Sequence, residues 1–104
     1  MPINTLNDRT FEVTDEGFLT KREEWDEQLG ADLASLIGIE MTEEHWRPIR
    51  FMREDQAVTG ATPTLRRMQV AGGFDIKDLF RLYPRKPAKK MAWIAGLNKP
   101  VGCV

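Results

Sequence analysis

The single cysteine of this chain, Cys103, is its second-to-last residue, in a tail reading Gly96-Leu-Asn-Lys-Pro-Val-Gly-Cys-Val104. A lone cysteine ordinarily serves as a small buried hydrophobe, whereas a terminus is where order is poorest and reach is longest. Pro100 and the glycines Gly96 and Gly102 make this tail a poor candidate for continued helix. One thiol at the end of such an arm is able to enter another protein's active site and react there as the thiolate. The α-carboxylate of Val104 opposes ionisation of the thiol, while Lys99 and the basic residues before it favour it. The plain alternative is an unused thiol in a frayed tail.

Little else in the sequence carries chemistry. Metal sites draw three or four ligands from cysteine, histidine or clustered carboxylates, and a chain with one Cys and one His has no such spacing. No Gly-rich phosphate loop occurs, since Gly72-Gly73 and Gly96 stand isolated. No cofactor or metal is therefore expected. His45 is a conceivable base for Cys103, but its place in the first turn of a helix beside Trp46 reads more simply as structural. A self-contained hydrolase is not expected.

The 104 residues, 41% hydrophobic and 30% charged, suit one small domain with a modest core. No apolar stretch approaches the roughly 20 residues that span a bilayer, and residues 1–8 lack a secretory pattern. With one cysteine there is no internal disulfide, and a reducing, cytoplasmic setting is expected. Charge is unevenly placed. Residues 1–60 hold 14 acidic against 6 basic side chains, net −8, and residues 61–104 hold 2 against 9, net +7. The basic half suits an acidic protein surface or nucleic acid, or forms a solvated mixed-charge face.

The elements that must position the tail are mostly helical. Phe11-Glu-Val13, the turn signal Asp15-Glu-Gly17 and Phe18-Leu19 predict a β-hairpin. Trp25, Leu29, Leu33, Leu36 and Ile37 then form one helical stripe from about Glu23 to Gly38. Thr42 caps a second helix with Trp46, Ile49 and Met52 as its buried face, in which Pro48 should distort the start. Thr62-Pro63 starts a short third helix with Leu65 and Met68 inside, ending at Gly72-Gly73. Asp75 caps a fourth with Ile76, Leu79, Phe80 and Tyr83 on its apolar side. Pro87 begins the last, which carries Met91, Trp93 or its neighbour Ile94, and Ala95, and closes at Gly96. The expected fold is mainly α with a small β element (α+β): a small helical bundle, an N-terminal β-hairpin and a flexible C-terminal arm over 96–104, all in one domain, 1–104.

Between Thr42 and Val70 two capped helices and a short turn also suit a helix-turn-helix DNA-binding regulator, with Thr64, Arg66 and Arg67 toward a groove or phosphates. Two angled helices are common in small helical domains, and the arginines read equally as a solvated face.

The segment Leu82-Tyr-Pro84-Arg-Lys-Pro87-Ala-Lys89, then Ile94-Ala-Gly-Leu97 and Lys99-Pro-Val-Gly-Cys103-Val104, resembles the DsrC/TusE family. So do Asp15-Glu-Gly-Phe-Leu19, Trp25, and Glu44-His-Trp46 to Arg50-Phe51, so that the resemblance runs over most of the chain in order. It implies a helical protein with an N-terminal β-hairpin and a flexible arm that holds sulfur as a persulfide on the penultimate cysteine, here Cys103. Family members of the DsrC type carry a second cysteine ten residues earlier, which bridges to the first in dissimilatory sulfite reduction; here that position is Trp93. The resemblance therefore points to the single-cysteine, TusE-like branch. It implies a donor complex of the TusBCD or DsrEFH kind, and as acceptor a tRNA thiouridylase making wobble 2-thiouridine, or an enzyme of sulfur metabolism. A DsrC-like carrier associated with sulfite reductase is the alternative. Transfer RNA would be touched only within a complex, and no membrane is implied. Lys86, Lys89, Lys90 and Lys99, with Arg66, are candidates for steering toward partners. Two features depart from the family pattern: a shorter stretch between Met68 and Leu82, and Asn98 where proline is usual.

Overall fold

The computed structural model describes residues 3–6 and 9–100. Strands β1 (Ile3–Leu6) and β2 (Arg9–Glu12) form an antiparallel ladder running from Ile3↔Glu12 to Leu6↔Arg9. The hairpin expected over Phe11–Leu19 survives only as its turn and a single bridge, Val13↔Leu19, with Gly17 at φ +90°. Thr14 N–H donates to Phe18 O at 2.7 Å and Thr20 N–H to Glu12 O at 3.1 Å, the two bonds that flank this bridge, while the Thr14 hydroxyl oxygen accepts from Phe18 N–H at 3.1 Å. The regular ladder thus lies one strand earlier than expected.

A 3-10 turn, Arg22–Glu24, precedes α1 (Glu27–Leu36). The helix starts later than the apolar stripe suggests because Asp26 caps it, accepting from Leu29 N–H at 2.9 Å. Trp25 therefore sits in extended backbone outside the helix. Arg9 donates to the same Asp26 carboxylate at 2.7 Å, and this bond, with that from Leu29 N–H, holds its pKa below the usual aspartate value. Leu29, Leu33 and Ala34 are buried, but Leu36 and Ile37 are 62% and 39% exposed, so only the first part of the predicted stripe reaches the core.

Helix α2 (Glu43–Thr59) runs through Pro48 without a break, so the distortion expected there does not interrupt it. Its N-terminus is closed by His45, whose Nδ1 accepts from Thr42 N–H at 3.2 Å. The short α3 (Leu65–Val70) starts at Thr64, whose hydroxyl oxygen accepts from Arg67 N–H at 3.2 Å, rather than at Thr62-Pro63. Helix α4 (Ile76–Leu82) is capped by Asp75 as expected. Its buried side is Leu79, Leu82 and Tyr83, while Phe80 is 46% exposed.

Helix α5 (Pro87–Ile94) is the centre of the fold and packs on α1, α2 and α4. Ala88, Met91, Ala92 and Ile94 are all buried, which leaves Lys89, Lys90 and Trp93 as its half-buried side. Of the two residues offered for the core at its end, Ile94 fills it. The main cluster joins Met91, Ala92 and Ile94 to Phe18, Ile49, Met52, Met68, Leu79, Tyr83 and Leu97. A smaller one places Phe11, Val13 and Leu19 against Leu29 and Leu33.

Tyr83 ties α4 to the start of α2. It is fully buried, donates to His45 O at 2.8 Å, and meets the His45 ring edge-on at 5.3 Å. Burial pushes its phenol pKa well up. Replacing Tyr83 by Phe keeps the packing and removes one buried hydrogen bond, an expected loss of about 1 kcal/mol. A urea midpoint that falls at unchanged m-value checks this; an unmoved midpoint would show the bond to be neutral.

Candidate functional site

Cys103 and its neighbours 101–104 lie outside the described residues; the site is defined by what holds their root. Helix α5 ends in a Schellman closure, with Leu97 N–H donating to Ala92 O at 3.0 Å and Gly96 at φ +70°. Gly96, Leu97 and Pro100 are buried against the body, so the first residues of the expected arm are part of the packed domain. Gly96 has no room for a side chain: a Cβ there would lie 2.5 Å from Trp25 Cδ1. Trp25 is itself fixed, since its Nε1–H donates to Ile94 O at 2.7 Å and the Arg53 guanidinium stacks 4.0 Å above the ring. Arg53 also donates to Ala95 O at 2.5 Å, and Arg22 braces it by donating to Arg53 O at 2.9 Å. Burial, and then the like charge of Arg22, push the Arg53 pKa down to about 10, which leaves it cationic at neutral pH. Two segments distant in sequence, 22–25 and α2 at Arg53, thus clamp the carbonyls just before the tail.

Beside the start of α5 lies a surface groove of about 440 Å³. Phe18, Ile37 and Trp93 supply apolar lining, and Arg85, Lys86, Lys89 and Lys90 supply cations. Trp93 is oriented by its Nε1–H, which donates to Gly17 O at 2.9 Å. Glu16 lies on the rim and pairs with Lys99 Nζ at 3.2 Å, bringing the root of the tail to the groove's edge. The structure therefore gathers four of the five cationic candidates, Lys86, Lys89, Lys90 and Lys99, around one feature. Arg66 is apart, lining a depression on α3 with Thr64, Arg67 and Val70.

Two sequence candidates are otherwise occupied. Both ring nitrogens of His45 have partners: Nδ1 accepts from Thr42 N–H, and Nε2 faces Leu82 O at 3.2 Å, which assigns the Nε2–H tautomer. His45 is a structural histidine. Arg67, offered to phosphates in the helix-turn-helix reading, forms a two-pronged pair with Asp55 of α2 at 2.8 and 3.1 Å. Its hydrogen bonds hold the Asp55 carboxyl below the usual range. Sequence reasoning missed Arg85, Glu16 and the Trp25–Arg53–Gly96 clamp. The visible signals were Trp25 and a glycine just after a helix; what joins them is long-range.

The described residues thus form a small helical body whose last helix leads, through a clamped root, to the edge of a cationic groove. Residues 5–104 match the family of DsrC-like proteins, and the chain belongs to that family, as its motifs suggested. Among curated relatives, the sulfurtransferase TusE of Salmonella paratyphi A is 38% identical over 96 residues, covering 86% of this chain and 88% of the relative. The sulfurtransferase TusE of Escherichia coli K12 is 34% identical over 103 residues, covering 92% and 94%. Among solved structures, the oxidised γ-subunit of dissimilatory sulfite reductase (DsrC) from Archaeoglobus fulgidus superposes with a TM-score of 0.77 at 34% identity, over 99% of this chain and 100% of that one. Allochromatium vinosum DsrC gives 0.79 at 31% identity, over 98% and 97%. The mainly helical fold expected from the sequence is the observed one. Among the described residues no helix is long and apolar enough to cross a membrane.

Proposed function

We propose that this protein is a sulfur carrier that accepts persulfide sulfur on Cys103 and passes it to an acceptor protein. The observation that carries this reading is the family match, which runs to residue 104 and so includes the chain's one cysteine. In the loading step the Cys103 thiolate attacks the outer sulfur of a donor persulfide. A new S–S bond forms at Cys103, the donor's S–S bond breaks, and the donor cysteine leaves as thiolate, with the terminal sulfur's proton retained. The electrons balance within the exchange, as in thiol–disulfide chemistry. Unloading is the same step with the acceptor's thiolate as nucleophile.

In this reading residues 1–104 are one domain and 96–104 its arm. Cys103 stands three residues past the seated Pro100, which limits its reach from the body to roughly 10 Å. The client that suits a TusE-like chain is the relay making wobble 2-thiouridine in tRNA: a TusBCD-like donor upstream and a thiouridylase downstream, with tRNA met only in complex and the whole in the cytoplasm. The solved neighbours from sulfite reductases support a second client, but Trp93 stands where an intramolecular sulfur bridge would need its partner.

Intact-protein mass spectrometry after incubation with a cysteine desulfurase, cysteine and the relay donors tests the proposal. The expected product carries added mass in whole sulfur atoms, mapped by fragmentation to the peptide that contains Cys103. No added sulfur, under conditions that load the Escherichia coli relative, overturns it.

A further inference from the structure

We infer that the groove between the end of α1 and the start of α5 is a docking surface for a partner protein that presents an apolar side chain flanked by carboxylates. This rests on the carrier reading and adds to it the face and the chemistry of the partner.

Arg9, Arg50, Arg67 and Arg81 each pair with a carboxylate of the same chain. Arg85, Lys86 and Lys89 have no carboxylate within ion-pair distance among the described residues, and Lys90 Nζ donates to the Pro84 carbonyl instead. The one acid on the rim, Glu16, is taken by Lys99. An occupant bearing acids would complete this wall.

The wall is also held in place. Arg85 and Lys86 are the only non-glycine residues with positive φ among those described, at 62° and 50°. Left-handed backbone is unfavourable for residues with a Cβ, and here Pro84, Pro87 and the Lys90 bond fix it. The two side chains leave the body from a rigid corner rather than a loose loop, so less ordering is needed on docking.

The floor argues for protein rather than nucleic acid. Ile37 lines the groove at 39% exposure, with Leu36 beside it at 62%, both large aliphatics left uncovered. With Phe18 and Trp93, Ile37 gives the groove an apolar lining beside its charged residues, the mix found at protein interfaces. The cations alone would attract phosphate as well as carboxylate; the exposed aliphatic lining, which a phosphate backbone does not contact, is what favours protein. Because Lys99 ties the tail's root to the rim, a partner seated here is within reach of Cys103.

The test compares wild type with Lys86→Glu/Lys89→Glu and with Ile37→Asp, each confirmed folded by circular dichroism. Three quantities are measured: the second-order rate of sulfur transfer from the persulfide-loaded donor complex at several salt concentrations, alkylation of Cys103 by iodoacetamide, and anisotropy of labelled bulk tRNA. The charge reversal is expected to slow transfer about tenfold at low salt and to flatten its salt dependence. Ile37→Asp should slow it severalfold, and alkylation should stay within about twofold of wild type for both, the small reagent needing no docking. Transfer rates unchanged in both variants overturn the groove proposal while leaving the carrier reading intact. Alkylation that shifts as much as transfer overturns it in favour of the chain's own residues 101–104 as occupant. Salt-sensitive tRNA binding lost in the charge reversal overturns it in favour of RNA. A wild type that takes up no sulfur overturns the carrier reading itself, and the partner proposal with it.

Discussion

Replacing Cys103 by serine is expected to abolish sulfur loading completely while leaving the fold intact. The reaction needs an anionic nucleophile at neutral pH, and a thiol reaches that state far more readily than a hydroxyl. Serine, moreover, has no sulfur with which to form the S–S bond that defines the loaded carrier. No second thiol exists to substitute, because Cys103 is the only cysteine among the 104 residues. The fold should not register the change: the core clusters are built from residues between Phe11 and Leu97, and the clamp on the tail's root from Arg22, Trp25, Arg53 and Gly96. The paired measurement is intact mass after exposure to the loaded donor and the thermal midpoint by circular dichroism. Sulfur covalently bound to Cys103→Ser would sink the mechanism. A large fall in its melting temperature would show instead that the tail is a structural element.

The parts of this protein legible in its sequence are those decided within a few residues. Thr42 and Asp75 cap helices where expected, because a cap is a bond between near neighbours. Two threonines flank Pro63, and the sequence alone favours Thr62 by the liking of proline for a first helical position. The structure uses Thr64, which has Arg67 N–H three residues ahead and leaves Pro63 buried outside the helix. Helix α4 carries two overlapping apolar stripes, 76–80–83 and 79–82–83. Periodicity ranks them equally, and only packing against α5 selects the second. Leu36 and Ile37 continue the stripe of α1 faultlessly yet stay uncovered. The site itself divides the same way. Cys103 stands out by position alone, whereas the groove joins residues 16–18, 37 and 85–93, a juxtaposition that no local pattern encodes.

The clamp yields the largest expected effect on stability. Gly96→Ala meets two penalties at once. Alanine at φ +70° is disfavoured on its own account by about 1 kcal/mol. Its methyl group must also displace Trp25, whose Cδ1 and Cγ lie 2.5 and 2.8 Å from the Cβ position. That ring cannot move freely without weakening its bond to Ile94 O and its stack under Arg53. Together the expected loss is about 2–4 kcal/mol, a fall in melting temperature of roughly 10–30 °C for a domain of this size. Gly60→Ala isolates the first penalty: Gly60 closes α2 at φ +80° with nothing within 4 Å of its Cβ position. It should lose only about 1 kcal/mol. Equal destabilisation of the two variants would mean that Trp25 yields at no expense and that the clamp is not rigid. A clear excess for Gly96→Ala would establish a fixed pivot at the end of α5. From that pivot the chain runs to the seated Pro100, the point from which the proposed reach of Cys103 is counted, so a partner must bring its own reactive sulfur to within about three residues' length of the body.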